Sequence, residues 1–190
     1  MVMKTEGDII RLIEEDSWMM EVIHAAATLH LPDWWVCAGF VRAKIWDTLH
    51  QFNRRTPLSD IDVIFFDPEH PEEAYEKQLE QQLSLVLPGL PWSVKNQARM
   101  HLINGLPPYT SSVDAMANFP ETATAIGVKI NELGDMVLSA PHGIEDLLNL
   151  EVKPTPKFLD KELLKVFDQR MENKAWKQNW SNVTIYKGGA

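Results

Sequence analysis

The stretch Ser59-Asp60-Ile61-Asp62-Val63-Ile64-Phe65-Phe66-Asp67 carries the strongest fold signal in the chain. Its apolar residues are β-branched or aromatic, which favours a buried strand over 61–66. Residues two apart in a strand point to the same face, so Asp60 and Asp62 project together. Two adjacent carboxylates repel each other, and a bound divalent cation removes that repulsion. The stretch therefore predicts a rigid strand with a metal-binding carboxylate pair, although a lone Asp-x-Asp is also common at surface strand ends.

The predicted ligands of this cation are Asp60 and Asp62, and the predicted ion is Mg²⁺ or Mn²⁺. Mg²⁺ keeps several of its waters, takes one or two protein carboxylates and shares its other positions with substrate phosphates. A second metal nearby would suit an in-line phosphoryl displacement. The carboxylate pair therefore indicates chemistry on a phosphorylated substrate.

A second informative stretch, Cys37-Ala38-Gly39-Phe40-Val41-Arg42, precedes the first by about twenty residues. It predicts a strand through Ala38, a glycine junction and a helix, and Gly39 lets the backbone approach a ligand closely. The start of a helix favours phosphate, and Arg42 in its first turn is easier to explain if it meets an anion. The hydroxyl of Ser59 either donates to phosphate or caps the local backbone. The two stretches together indicate a phosphate site beside a metal site.

A third candidate lies in 92–103, which reads as one long, bent strand. On such a strand one face carries Lys95, Arg99 and His101. This face is predicted either to bind phosphate or an acidic acceptor, or to be solvated. Lys95 is the predicted phosphate contact of this group. The last helix, predicted over 159–176, is mildly basic, and we expect its charged face to be solvated, with RNA contact as the alternative.

Composition limits the class of protein. The chain has 190 residues, a length that suits one domain, which is predicted over 1–190 with a helical extension at 1–16. Its net charge of −9 argues against long nucleic acids as partners. Its single cysteine excludes an internal disulfide and favours the cytoplasm. No apolar run approaches the roughly 20 residues of a membrane span, so no membrane partner is expected. P-loop and Rossmann motifs do not occur.

The order of predicted elements favours an α+β domain, because helices come first and strands and helices then mix. We expect a central mixed sheet with helices packed on it. One hairpin is predicted from two strands, 123–131 and 136–139, that flank a turn at Gly134.

The motifs resemble the DNA polymerase beta-type nucleotidyltransferase superfamily, and more narrowly a bacterial family of small nucleotidyltransferase-like proteins. The resemblance covers about 18–175. It implies a nucleotidyltransferase fold, Mg²⁺ and a nucleoside triphosphate donor, with Gly39 at the phosphate-side turn and Asp60 and Asp62 as metal ligands. Phe40 stands where the superfamily usually has a second glycine or a serine at the nucleotide, and by this position it is predicted to be a nucleotide-binding residue. The strand at 92–101 lacks the usual third carboxylate, for which the substitutes are Asp114, Glu121 and Asp67.

The sequence thus predicts a metal-dependent nucleotidyltransferase that moves a nucleoside monophosphate from a triphosphate to an unidentified acceptor. Asp60, Asp62 and Asp114 are its predicted catalytic residues. A non-catalytic nucleotide- or partner-binding module on the same fold is the alternative, which Phe40 and the missing third carboxylate favour.

Overall fold

The computed structural model describes residues 3–186, so the ends of the predicted domain, 1–2 and 187–190, lie outside the described residues. Its strands, in chain order, are β1 (Trp35–Cys37), β2 (Ile61–Phe65), β3 (Trp92–Asn96), β4 (Gly127–Ile130), β5 (Met136–Ser139), β6 (Glu151–Val152) and β7 (Thr184–Ile185). Five of them form one sheet in the order β3-β2-β1-β4-β5, and β6 pairs with β7. The β2–β3 pair is parallel and the other pairs of the larger sheet are antiparallel. The central sheet is therefore mixed, as predicted.

Helices occupy much of the remaining chain. They are α1 (Glu6–Glu14), α2 (Ser17–Ala27), α3 (Gly39–Leu49), α4 (Glu73–Val86), α5 (Gln97–Asn104), α6 (Ser112–Ala117), α7 (Glu145–Leu148), α8 (Lys161–Asn173) and α9 (Trp176–Asn179). Together with the mixed sheet they confirm the predicted α+β class. None of the helices within residues 3–186 has both the length and the apolar character needed to cross a bilayer.

The two faces of the sheet differ in what covers them. Val36, Val63 and Val128 are fully buried on one face, where apolar residues of α1 to α4 pack to form the main core. On the other face, Cys37, Asp62 and Ser93 form a row of residues paired across β1, β2 and β3. A smaller apolar cluster around Trp35, which includes residues of α6, covers only part of that face. The carboxylate strand therefore has one buried face and one face that is open beside the cluster.

The predicted strand over 92–103 is wrong in its second half. β3 ends at Asn96, whose side-chain oxygen accepts a hydrogen bond from the backbone N–H of Ala98 at 3.1 Å and so caps α5. The helix ends at Gly105, which has a φ of +64°. Arg99 and His101 thus lie on a helix, and they do not share a strand face with Lys95.

Other predicted boundaries shift by smaller amounts. The hairpin of β4 and β5 is confirmed, but β4 begins at Gly127 because Thr122–Thr124 forms a 3₁₀ turn. The helix predicted over 159–176 is interrupted. α8 ends at Asn173, and Ala175, with a φ of +45°, separates it from α9.

Aromatic packing fixes the C-terminal chain against α3. The ring centres of Trp176 and Trp180 lie 5.6 and 5.1 Å from that of Trp46, which is fully buried. The indole N–H of Trp180 also donates to Asp47 at 2.8 Å. These contacts hold the segment around Trp176 and Trp180 against α3.

Candidate active site

Asp62 lies at the centre of the open sheet face. β2 pairs it with Cys37 on one side and with Ser93 on the other. Burial raises its pKa to about 6, the charge of Asp60 adds to the rise, and a hydrogen bond from Ser93 opposes it. The Ser59 hydroxyl donates to the Asp60 carboxylate at 3.2 Å. The two carboxylates therefore repel each other in a partly buried position, which is the condition that a divalent cation relieves.

The junction between β1 and α3 has an unusual backbone. Ala38 has a φ of +56° and a ψ of −120°, a conformation that favours glycine, while Gly39 is the first residue of the helix. The N–H of Ala38 donates to the carbonyl of Ile126 at 2.9 Å, which holds the turn to the sheet. A methyl group added to Gly39 meets only the guanidinium of Arg42, at 3.6 Å. Gly39 thus leaves the start of α3 open to a ligand.

Arg42 reaches the same place from the first turn of α3. Its side chain is only 8% exposed, and its Nε has no hydrogen-bond partner among the described residues. The guanidinium carbon lies 4.5 Å from the ring centre of Trp176 and 5.2 Å from that of Trp46. Burial lowers the pKa of Arg42 to about 10. It is therefore a buried cation held by aromatic rings.

A cavity of about 500 Å³ joins these features. Asp60 and Asp62 line it on one side and the start of α3 lines it on another. Six of the predicted site residues line this one cavity: Gly39, Arg42, Ser59, Asp60, Asp62 and Lys95. The structure thus brings the predicted metal ligands and most of the predicted phosphate contacts together.

Two predicted residues are placed elsewhere. The side chain of Phe40 is 1% exposed and packs against Trp18, with ring centres 5.8 Å apart, so only its backbone N–H can take part in the site. Asp114 lies on α6, where its carboxylate accepts hydrogen bonds from the backbone N–H and hydroxyl of Thr110, and it does not line the cavity. The structure therefore does not bring Asp114 to the aspartate pair.

The other substitutes for a third carboxylate are also used elsewhere. Glu121 is fully buried and paired with Arg170, and Asp67 accepts from His70 and from the backbone N–H of Glu69. Over residues 3–186, Asp60 and Asp62 are the acidic side chains that line the cavity. No group of three or more potential metal-ligating side chains occurs in that part of the chain.

Lys95 faces the cavity from β3 but is already paired. Its Nζ lies 3.3 Å from a carboxylate oxygen of Glu76, a fully buried residue of α4. Arg99 donates to both oxygens of the same carboxylate at 2.8 Å. Glu76 therefore neutralises part of the positive charge at this side of the cavity.

Sequence reasoning missed the C-terminal wall of the cavity. Arg170 and Lys174 line it, although the basic face of this helix was expected to be solvated. Trp176, Asn179 and Trp180 line it as well. The local signal in the sequence was a pair of tryptophans, Trp176 and Trp180, directly after a basic helix. These tryptophans pack on Trp46 and so hold the basic helix end at the cavity.

The mixed sheet, its Asp-x-Asp strand and the glycine at the start of α3 together form the arrangement that the sequence resemblance implies for a nucleotidyltransferase. Residues 24–185 match a family described as nucleotidyltransferase, and the chain belongs to this family. The match confirms the resemblance and identifies the chain as a transferase. No curated protein sequence gave a significant match.

Solved structures agree with this assignment. An NMR structure described as a CCA-adding enzyme head domain is 37% identical, with a TM-score of 0.86, and 97% of each chain is covered. The Thermotoga maritima CCA-adding enzyme complexed with tRNA is 16% identical, with a TM-score of 0.52 over 94% of this chain and 42% of that one. A tRNA-processing enzyme is 14% identical, with a TM-score of 0.52 over 99% of this chain and 46% of that one. The chain thus spans less than half of the two more distant enzymes, which share its fold.

Proposed function

We propose that the protein is a divalent-metal-dependent nucleotidyltransferase that moves a nucleoside monophosphate from a nucleoside triphosphate to an acceptor. The observation that carries the proposal is the convergence on one cavity of the Asp60–Asp62 pair, the open start of α3 and the buried cation Arg42. An anion-binding wall opposite a carboxylate pair suits a substrate that carries phosphates together with a cation.

The aspartate pair fits Mg²⁺ or Mn²⁺ shared with a substrate. Asp62 is partly buried beside Asp60, and its pKa is raised to about 6 although the charges of Lys174 and Arg170 act to lower it, so the cations across the cavity do not offset its burial and the repulsion from Asp60. Mg²⁺ takes one or two protein carboxylates in sites where phosphates supply further ligands. When bound, the ion would neutralise charge that develops on the α-phosphate and the leaving pyrophosphate.

The chain's own residues would hold the donor. The free N–H groups at the start of α3 and the guanidinium of Arg42 both suit phosphate oxygens. The packing of Arg42 on Trp46 and Trp176 fixes the guanidinium before a ligand arrives, which reduces the entropy lost on binding. Asp60 and Asp62 are the proposed catalytic carboxylates, and Asp114 has no place in this arrangement.

The acceptor is proposed as a chemical class, and the protein is proposed to be cytoplasmic. One structure of similar fold holds tRNA, which makes an RNA end one acceptor class. The net charge of −9 weighs against a long RNA footprint, so small molecules and protein side chains remain acceptor classes of equal standing. The single cysteine, Cys37, is buried and unpaired, which supports a cytoplasmic location.

The test measures transfer from each of the four common nucleoside triphosphates, labelled at the α-phosphate, with Mg²⁺ or Mn²⁺ and with pools of RNA ends and small molecules. Asp60→Asn and Asp62→Asn are expected to lower the rate by about two orders of magnitude or more, because metal assistance supplies several kcal/mol. Asp135→Asn, which removes an exposed carboxylate of the hairpin turn, is the matched control and should keep the wild-type rate.

Two outcomes would count against the proposal. Transfer that is unchanged in Asp60→Asn would remove the aspartate pair from the mechanism. Nucleotide binding without any turnover would favour a nucleotide-binding module, an alternative supported by the presence of only two acidic side chains at the cavity within residues 3–186.

A further inference from the structure

Three cations meet at the C-terminal wall of the cavity. Arg42 comes from α3, Arg170 from the last turn of α8, and Lys174 directly follows that helix. They belong to a chain with a net charge of −9, so composition does not explain why positive charge collects at this place. The cluster therefore has a local cause.

Two of these cations have no carboxylate partner. Within residues 3–186, neither Arg42 nor Lys174 forms an ion pair with an acidic side chain. Arg42 is only 8% exposed, and its buried Nε has no hydrogen-bond partner among the described residues. A buried donor without a partner is unfavourable, so a ligand that accepts a hydrogen bond from Arg42 would stabilise the site.

Lys174 is close enough to the other cations to feel their charge. Burial lowers its pKa below the usual value, the charges of Arg170 and Arg42 lower it further, and the charges of Asp60 and Glu121 oppose this shift. Like charges held together in a partly buried place repel each other unless an anion lies between them. Within residues 3–186, Asp60 and Glu121 oppose this repulsion without contacting Lys174, so the wall has room for a further anion.

Arg170 is held in position by a buried carboxylate. Glu121 is fully buried, pairs with the guanidinium Nε of Arg170 and accepts from the Thr124 hydroxyl at 2.7 Å. Glu121 forms an ion pair with one of the three cations, whereas Arg42 and Lys174 feel the Asp60–Asp62 pair only across the cavity. Two cations without a direct carboxylate contact suit the oxygens of a polyphosphate.

We propose that Arg170 and Lys174 join Arg42 to bind the β- and γ-phosphates of the donor, the part that leaves as pyrophosphate. That the anion is a donor's polyphosphate rests on the proposed function, whereas the anion site itself rests on the three cations. In the transfer, the bond between the α-phosphorus and its bridging oxygen breaks, and pyrophosphate leaves with the electron pair. The acceptor oxygen bonds to the α-phosphorus and gives its proton to solvent. The cations would stabilise the charge on the leaving group.

The test is titration calorimetry with inorganic pyrophosphate in the absence of divalent cations. Lys174→Met keeps the length of the side chain and removes its charge, and a charge-assisted contact of this kind corresponds to a loss of about 10- to 100-fold in affinity. Lys177→Met is the matched control, because Lys177 is an exposed lysine of α9 that does not line the cavity. Its affinity should equal that of the wild type.

The opposite results would overturn the assignment. Equal affinity in Lys174→Met and the wild type would show that Lys174 does not contact the anion, and a wild type that does not bind pyrophosphate would remove the site. Lys174→Arg, which restores the charge, should recover most of the affinity. If Lys174→Met loses binding and its thermal midpoint falls, recovery in Lys174→Arg separates the loss of charge from a general loss of fold.

A further variant separates this inference from the proposed function. Asp60→Asn is expected to abolish nucleotide transfer but to keep or strengthen pyrophosphate binding without metal, because it removes a negative charge from the cavity. Lys174-dependent pyrophosphate binding in a protein that transfers no nucleotide would contradict the proposed function and support the anion site. Nucleotide transfer by a protein whose pyrophosphate binding does not depend on Lys174 would support the proposed function and contradict the anion site.

Discussion

Replacement of Asp62 by asparagine is expected to stabilise the ligand-free protein at neutral pH. Burial and the charge of Asp60 raise the pKa of Asp62 from 3.8 to about 6, so the folded protein holds this proton more tightly than the unfolded chain. The stability that this group contributes is therefore full below about pH 4 and is lost as the pH rises through about 6. Since each pKa unit corresponds to about 1.36 kcal/mol, ionisation of Asp62 costs the folded state up to about 3 kcal/mol above that pH.

Asparagine removes this cost and keeps a side-chain oxygen that can accept from Ser93. The free energy of unfolding of Asp62→Asn should thus exceed that of the wild type by up to about 3 kcal/mol at pH 7.5, and the two should agree at pH 4. Urea denaturation in EDTA, followed at several pH values, measures the difference directly. Asp135→Asn, at an exposed turn position, serves as the control and should show no such pH-dependent gain.

Two results would refute this reasoning. A variant that is no more stable than the wild type at pH 7.5 would show that ionised Asp62 does not destabilise the fold. A gain of the same size at pH 4 and pH 7.5 would show that its cause is packing, since a cost of ionisation must disappear when the carboxylate is protonated in both states. Saturating Mg²⁺ should narrow the gap at pH 7.5, because only the wild type has both carboxylates.

Two backbone substitutions test the start of α3. Gly39→Ala should change the free energy of unfolding by less than about 1 kcal/mol, because the added methyl group meets only Arg42 at 3.6 Å. The same methyl group covers the start of α3, so it should weaken pyrophosphate binding about tenfold. Unchanged affinity in calorimetry would show that no ligand binds at the start of α3. Ala38→Gly should raise the free energy of unfolding by about 1 kcal/mol, since relief of the positive φ exceeds the added entropy of the unfolded chain. A lower midpoint in urea would show that this turn is not strained.

Local spacing made part of the candidate site predictable. The period of two in a strand places Asp60 and Asp62 on one face, and the strand–glycine–helix order places Gly39 and Arg42 beside them. The structure confirms the α+β class and brings these four residues to one cavity. It also shows that the conformation that favours glycine falls on Ala38, one residue before the expected position.

The rest depended on contacts that spacing does not reveal. A basic helix near the end of a chain has the same local pattern whether it is solvated or faces a ligand. What brings Arg170 and Lys174 to the cavity is the return of the chain to α3, where the Trp180 indole donates to Asp47 across 133 positions of sequence. The second half of the strand predicted over 92–103 is wrong for a related reason, because Asn96, which caps α5, looks in the sequence like one more residue of an alternating strand.

The unfavourable features of this fold are concentrated in one cavity. Asp62 is charged beside Asp60, Arg42 and Lys174 lack carboxylate partners within residues 3–186, and Ala38 has a positive φ. A divalent cation alone would relieve the carboxylates and increase the repulsion at the cations, and a polyphosphate alone would do the opposite. A nucleoside triphosphate bound with a divalent cation offsets both charges at once, since its metal faces the aspartate pair and its phosphates face the basic wall. The same pairing explains why, within residues 3–186, Asp60, Asp62, Arg42 and Lys174 form no ion pairs, because a side chain that paired with them would occupy the place of the ligand.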